Sequence, residues 1–324
     1  MYPADVRQDR PVEVFMAHMD VVFSDESELP LRVEDGRIYC PGVGDDTACL
    51  VCLLLAGKYI AEHVDSPQWR EIRREDAPGL LLVCNAGEEG LGNLKGVHKI
   101  CEDFGDRIER FCTFDSSLSS IVDRAVGSKR FRVRVRTRGG HSYDDFGNDN
   151  AIAGLASLVG KLYGIRVPEG GKTTYNVGMI SGGTSVNTIA QEAEMLYEFR
   201  SDRRENLEYM ERQFMEVFDR AKAEGMDVSF KVIGVRPCEG QVDPKRKQAL
   251  SDWAHRVVEE MTGQAPKHCA GSTDCNIPLS LGIPSVCVGS FRGAGAHTRE
   301  EYVETDSLEE GYKVAFGMIF GSRD

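Results

Sequence analysis

Residues 80–93 read Leu80-Leu-Leu-Val-Cys-Asn-Ala-Gly-Glu-Glu-Gly-Leu-Gly-Asn93. The apolar run at the start suits a buried strand, and it ends in two adjacent carboxylates, Glu88 and Glu89, bedded among glycines. Alone, such a pair is a solvated turn. Near a core it is costly unless a cation or a proton transfer uses it. What the stretch means therefore depends on what ends the other strands.

Val12-Glu-Val-Phe-Met-Ala17 reads as a buried strand running into His18-Met-Asp20. A carboxylate two residues after a histidine can orient the imidazole and raise its basicity as a ligand. A short strand at 37–40 leads to Pro41-Gly-Val-Gly-Asp-Asp46, where Asp45 or Asp46 caps the apolar helix over 47–63 or joins a site. A charged stretch at 71–76 precedes the opening strand, and a helix over 95–101 follows it. Arg110-Phe-Cys-Thr-Phe-Asp115 is again a strand ending in a carboxylate. Three strands thus end in His, Glu or Asp, and open α/β sheets gather ligands beyond the carboxyl ends of their strands. His297 stands in a late glycine-rich loop, Gly293-Ala-Gly-Ala-His-Thr298. His18, Asp20, Asp45, Glu88, Glu89, Asp115 and His297 together suit Zn²⁺, Mn²⁺ or Co²⁺, because mixed imidazole and carboxylate ligation is typical of hydrolytic metal sites.

At 324 residues, 41% hydrophobic and 28% charged, the chain holds one large or two ordinary domains. A net charge of −13 without a basic stripe argues against nucleic acid and anionic membranes as partners. The apolar stretch at 48–56 is too short to span a bilayer. The first residues, Met1-Tyr-Pro-Ala-Asp-Val-Arg7, resemble neither a signal peptide nor a basic presequence. Ten scattered cysteines fit a reducing compartment, and the chain is expected to be cytoplasmic. Cys49-Leu-Val-Cys52 lies in the apolar helix and reads as packing rather than zinc or redox chemistry.

From residue 123 the pattern changes. Lys129-Arg-Phe-Arg-Val-Arg-Val-Arg-Thr-Arg138 alternates, which predicts a half-buried strand with a solvated arginine face. A helix over 150–162, strands at 173–181 and 189–199, a helix over 206–223 and a strand at 227–235 follow. The order βαββαβ is that of a ferredoxin-like unit. Ser181-Gly-Gly-Thr-Ser185 lacks the lysine of a phosphate loop. Helix and strand alternation resumes after 237, with a helix over 245–261, a strand at 283–289 and a terminal helix over 307–320. The expected fold is α/β: a mixed-sheet catalytic domain in two segments, 1–122 and 237–324, interrupted by an inserted ferredoxin-like lid or dimerisation domain at 123–236.

The motifs AHMD at 17–20, GDD at 44–46, GEEGLGN at 87–93, TFD at 113–115, GGHS at 139–142, GGTSVN at 182–187, STD at 272–274 and GAHT at 295–298 span nearly the whole chain. Together they resemble the co-catalytic dizinc peptidases and deacylases that include peptidase T, carboxypeptidase G, acetylornithine deacetylase, succinyl-diaminopimelate desuccinylase and aminoacylase. The resemblance implies that His18, Glu89, Asp115 and His297 hold two divalent metals, most often zinc, with Asp45 bridging them. It implies Asp20 behind His18, Glu88 as general base, and His141, Asn187 and Arg200 as substrate-binding residues. His141 would complete the oxyanion site, often from the partner subunit of a homodimer. The implied substrate is a small peptide, a peptidase T-like aminopeptidase being preferred, or an N-acyl amino acid for a deacylase. A non-catalytic binding homologue would have lost ligands or base, and none is lost. Thr47 stands where the family usually carries a basic residue, and only 17 residues precede His18.

Overall fold

The computed structural model describes residues 10–23, 28–67 and 77–321. The N-terminal residues and the charged stretch at 71–76 lie outside the described residues. The chain divides into two compact units, Met1–Ala125 with Glu239–Asp324, and Val126–Cys238.

The first unit opens with β1 (Val12–His18), β2 (Arg32–Glu34), β3 (Arg37–Tyr39), α1 (Cys49–His63), β4 (Gly79–Asn85), α2 (Lys95–Phe104), β5 (Ile108–Phe114) and β6 (Ser120–Ala125). The second unit holds β7 (Gly127–Arg136), β8 (Gly140–His141), α3 (Ala151–Tyr163), β9 (Thr173–Gly182), β10 (Thr188–Ile189), β11 (Glu192–Ser201), α4 (Arg204–Ala223) and β12 (Asp227–Arg236). The first unit then resumes with α5 (Pro244–Thr262), β13 (Lys267–Gly271), α6 (Asn276–Ser280), β14 (Ser285–Val288), β15 (Gly293–Ala294), β16 (Tyr302–Glu304) and α7 (Thr305–Phe320).

A six-stranded mixed sheet, ordered β13-β6-β14-β5-β1-β4, organises the first unit. β1 is buried along its whole length, and its alternating side chains serve two cores. Phe15 and Ala17 pack in the cluster that includes α1, α5 and α7. Val14 and Met16 pack in the cluster with α2 and α6. β1 pairs in parallel with β4 and with β5, setting His18 beside Asn85 and Met16 beside Thr113. The parallel register brings the residues just past all three strands to one edge of the sheet. A small antiparallel sheet, β15-β16-β3-β2, adds the rest. Its pairing of Tyr302 with Tyr39 places the loop after β3 beside the connection from β15 to β16, and Cys40 N–H donates to the Glu301 carbonyl at 3.1 Å.

The second unit is a four-stranded antiparallel sheet, ordered β12-β7-β11-β9, in βαββαβ chain order. Phe131, Val133 and Val135 of β7 share one core with Leu155 and Leu158 of α3 and with Met210, Phe214 and Phe218 of α4. The Phe214 ring stacks on Phe131 at 4.1 Å and on Tyr197 at 5.6 Å. On the opposite face the β7 arginines pair with glutamates of β11: Arg130 with Glu198 at 3.2 Å, Arg132 with Glu194 at 3.3 Å, Arg134 with Glu194 at 2.7 Å, and Arg136 with Glu192 at 2.9 Å. The arginine face is thus a cross-strand charge lattice, with Arg130 only 14% exposed. Replacing Phe214 by Ala removes a fully buried ring from a stacked cluster, and a loss of about 3–5 kcal/mol is expected. Chemical denaturation followed by near-ultraviolet circular dichroism measures it.

Candidate metal centre

His18, at the end of β1, is 1% exposed. Its Nδ1 lies 3.0 Å from the backbone carbonyl of Asp20. A carbonyl only accepts, so in the neutral ring Nδ1 carries the hydrogen and Nε2 presents its lone pair. Nε2 points at Asp45 Oδ1, 3.1 Å away. The imidazole is therefore oriented by the main chain of Asp20, whose carboxylate stands 3.7 Å from Nδ1. That carboxylate accepts from the N–H groups of Gly87 at 2.8 Å, Glu88 at 3.3 Å and Glu89 at 2.9 Å. It anchors the turn that carries the acidic pair, a task that its spacing from His18 does not reveal.

Asp45 lies in a wide helical turn, Val43–Ala48, where its own backbone leaves helical geometry at φ −101°, ψ 88°. Its second oxygen, Oδ2, lies 3.0 Å from His297 Nε2, and the same nitrogen lies 3.2 Å from Glu89 Oε1. One carboxylate thus faces two imidazoles from opposite ends of the chain. His297 sits at φ 66°, a left-handed conformation uncommon for a side-chain-bearing residue. Asp46 is 1% exposed, and its Oδ2 accepts the His18 backbone N–H at 2.8 Å. Glu301, also buried, accepts from the N–H groups of Gly42, Gly44 and Asp45. Glu301 belongs to none of the sequence motifs; its one signal is a glutamate four residues after His297.

Among the described residues, three groups of histidine and carboxylate side chains bring ligand atoms within 4.8 Å of one another: His18 with Glu88 and Glu89, His18 with Asp46 and Asp115, and Asp45 with Glu89 and His297. The negative charge is excessive for a site of this burial. Burial and the charges of Asp45 and Glu88 push Glu89 up to about 7. The same three causes hold Asp115 well above the usual carboxylate range. Burial and Asp115 do so for Asp46. Burial works against protonated His18, yet the hydrogen bond to Asp45 and the charges of Asp46, Asp115 and Glu88 raise it to about 11. Crowded carboxylates beside an imidazole that keeps its proton form a donor set that fits divalent cations, whose charge would replace the retained protons.

His141 and Asn187 belong to the second unit, where β8 and β10 set His141 opposite Thr188. The Asn187 carbonyl accepts from Ser142 N–H at 3.0 Å, and His141 Nδ1 lies 3.2 Å from Asp144. Arg200 is not brought to them. It sits eight residues along β11 from Glu192, about 26 Å in an extended strand, with its guanidinium on Glu198 at 2.8 Å.

Imidazoles and carboxylates at the carboxyl edge of a mixed α/β sheet define a metal-dependent hydrolase. The model of peptidase family M20/M25/M40 matches residues 14–320, and the chain belongs to that family. Succinyl-diaminopimelate desuccinylase of Nitrosomonas eutropha is 24% identical over 323 residues, covering 93% of this chain and 80% of its own length. The structure of aminopeptidase PepT from Bacillus cereus superposes with a TM-score of 0.66 at 22% identity, over 98% of this chain and 82% of its own. A tripeptidase from Staphylococcus aureus gives 0.68 at 22% identity, over 96% and 80%.

Metal loading should be an exchange of protons for cations. Without metal, folded Glu89 keeps its proton to about pH 7 against 4.5 ordinarily, and folded His18 keeps its own to about 11 against 6.5. The folded chain then binds more protons than the unfolded one, so stability falls as pH rises through 4.5 to 7 for Glu89 and through 6.5 to 11 for His18. Thermal melts of the metal-free protein should drop from pH 5 to pH 8, while those of the zinc-loaded protein should drop less. Calorimetric titration in buffers of different ionisation enthalpy should register proton release at pH 7.

Proposed function

We propose that the chain is a dinuclear amide hydrolase of small peptides, a peptidase T-like aminopeptidase, with His18, Asp45, Glu89, Asp115 and His297 as ligands to two divalent ions. Zinc is the favoured metal, with cobalt or manganese also suited to the donor set. The observation that carries the reading is the Asp45 carboxylate, whose two oxygens face His18 and His297 separately. That disposition suits a bridge between two cations.

When bound, the ions supply Lewis acidity that lowers the pKa of the attacking water and stabilises the developing oxyanion. Glu88 acts as general base, taking the proton from the water and returning it to the leaving amine. Glu89 serves as a ligand from the same turn, and the Asp20 carboxylate keeps the backbone of that turn fixed. Asp46, although it stands near His18 and Asp115, is spent on the His18 backbone and is left outside the ligand set. His141 and Asn187 of the second unit are the proposed substrate-binding residues. Arg200 was a further candidate for a substrate carboxylate, but its pairing with Glu198 favours a structural role.

The second reading is an N-acyl-amino-acid deacylase, favoured by the likeness to a succinyl-diaminopimelate desuccinylase over most of the chain. The same base and ligands serve both reactions, and substrate contacts decide between them. The second unit, with its βαββαβ order, is read as a ferredoxin-like lid through which a homodimer forms. The exposed Met179 and Ile180 on edge strand β9 support that pairing. A reducing, cytoplasmic setting suits ten cysteines that are all free thiols. No described helix is long and apolar enough to cross a membrane.

A turnover screen across di- and tripeptides and acetylated or succinylated amino acids decides the substrate class. Release of an N-terminal residue from peptides is the expected result, and turnover confined to acylated amino acids would select the deacylase. Glu88→Gln should lower kcat by about 10²–10⁴ with bound zinc retained. Loss of zinc instead would show that Glu88 and Glu89 exchange roles. His141→Ala should slow turnover with little change in zinc affinity, and an unchanged rate removes it from the site.

A further inference from the structure

Glu301 has no part in the proposed chemistry, yet it is among the most deeply buried carboxylates of the first unit, at 2% exposure. Its partners among the described residues are backbone N–H groups rather than a cation. Oε2 accepts from Gly42 at 2.7 Å, and Oε1 accepts from Gly44 at 2.9 Å and from Asp45 at 2.8 Å. An ionised carboxylate without such donors is costly to bury, whereas three charge-assisted bonds satisfy it. The geometry leaves little slack. Gly42 adopts φ 78°, and a Cβ on Gly44 would meet the Phe291 ring at 2.6 Å and Glu301 Oε1 at 3.1 Å.

The bonded segment carries Asp45, 256 residues from Glu301 in sequence. Glu301 itself lies four residues beyond His297, in the connection between β15 and β16. A single buried side chain therefore ties the backbone of one candidate ligand to the loop that presents another. The two candidate ligands it joins are themselves in contact, Asp45 Oδ2 lying 3.0 Å from His297 Nε2. His297 is 58% exposed at its side chain, so packing alone does little to hold it.

We propose that Glu301 is a positioning residue for the metal pair: its carboxylate locks the Asp45 turn onto the His297 loop, so that Asp45 is already aimed at both histidines before any cation arrives. This inference rests on the ligand set proposed above. Supports of this kind, one bond removed from the ligands, typically change metal affinity 10- to 100-fold when lost.

The test is zinc binding by the full-length protein, measured by competition with a chromogenic chelator, for the wild type, Glu301→Gln and Glu301→Asp. Gln keeps the volume but turns one acceptor into a donor that faces an N–H. Asp keeps the charge but withdraws it by one methylene. Zinc affinity should fall about 10- to 100-fold in Glu301→Gln and by a smaller factor in Glu301→Asp. In Glu301→Gln, kcat lost at limiting zinc should return with excess zinc while KM stays near the wild-type value. Thermal melts of the metal-free variants separate this from a merely structural role, which lowers the melting temperature and leaves the affinity of the folded protein unchanged. Wild-type affinity in either folded variant overturns the proposal. A wild type that binds no zinc overturns the ligand set instead.

Discussion

Electrostatic crowding at the carboxyl edge of β4, β1 and β5 is the constraint around which the first unit is built. Glu88, Glu89, Asp45, Asp46 and Asp115 cluster about His18 and His297, and several carboxyl groups are driven toward their neutral forms. Water cannot screen such an arrangement when the residues are this buried, so the scaffold must hold groups that repel one another. It does so with backbone hydrogen bonds. Asp20 gathers the N–H groups of the acidic turn after β4, and Glu301 gathers those of the turn bearing Asp45. These two turns, which carry the candidate ligands Glu89 and Asp45, are thus each held by an acid outside the proposed ligand set.

That division explains what could be read from the chain. β1 is buried throughout, β4 opens on the buried Leu80 and Leu81, and β5 closes on the buried Phe111–Phe114, so the acids and histidine just beyond them stand out in one dimension. The βαββαβ order of the second unit was equally legible, because Phe131, Val133 and Val135 alternate with arginine and α4 carries an amphipathic repeat. β6 and β13 were not foreseen. Ser120–Ala125 and Lys267–Gly271 mix polar and apolar residues, and they become strands through pairing with each other and, for β6, with β14. Tertiary pairing rather than local preference makes them.

The same limit applies within the site. His18, Asp45, Glu88, Glu89, Asp115 and His297 announce themselves by residue type and motif. Asp20 was legible as a site residue, but its three backbone bonds were not. Glu301 was invisible as a structural acid, since a carboxylate that accepts main-chain N–H groups needs no distinctive neighbour in sequence. Asp46, open in sequence as a helix cap or a site residue, accepts the His18 N–H instead of capping α1. Arg200 shows the converse: a motif position selected it, and the folded strand places it on Glu198.

The charge lattice on the open face of the second unit's sheet has a consequence for how β7 and β11 find one another. In the observed alignment Arg136, Arg134 and Arg130 stand opposite Glu192, Glu194 and Glu198, while Arg132 stands opposite Leu196 and reaches diagonally to Glu194. A slip by one residue would exchange the core face for the charged one. A slip by two preserves the faces, so hydrophobic patterning cannot reject it. In one direction, however, it sets Arg130 against Arg200, and in the other it carries Arg136 past the last glutamate. The interruption at Leu196 and the terminal Arg200 work like the unequal teeth of a key, admitting a single alignment where an unbroken ladder of opposite charges would accept several.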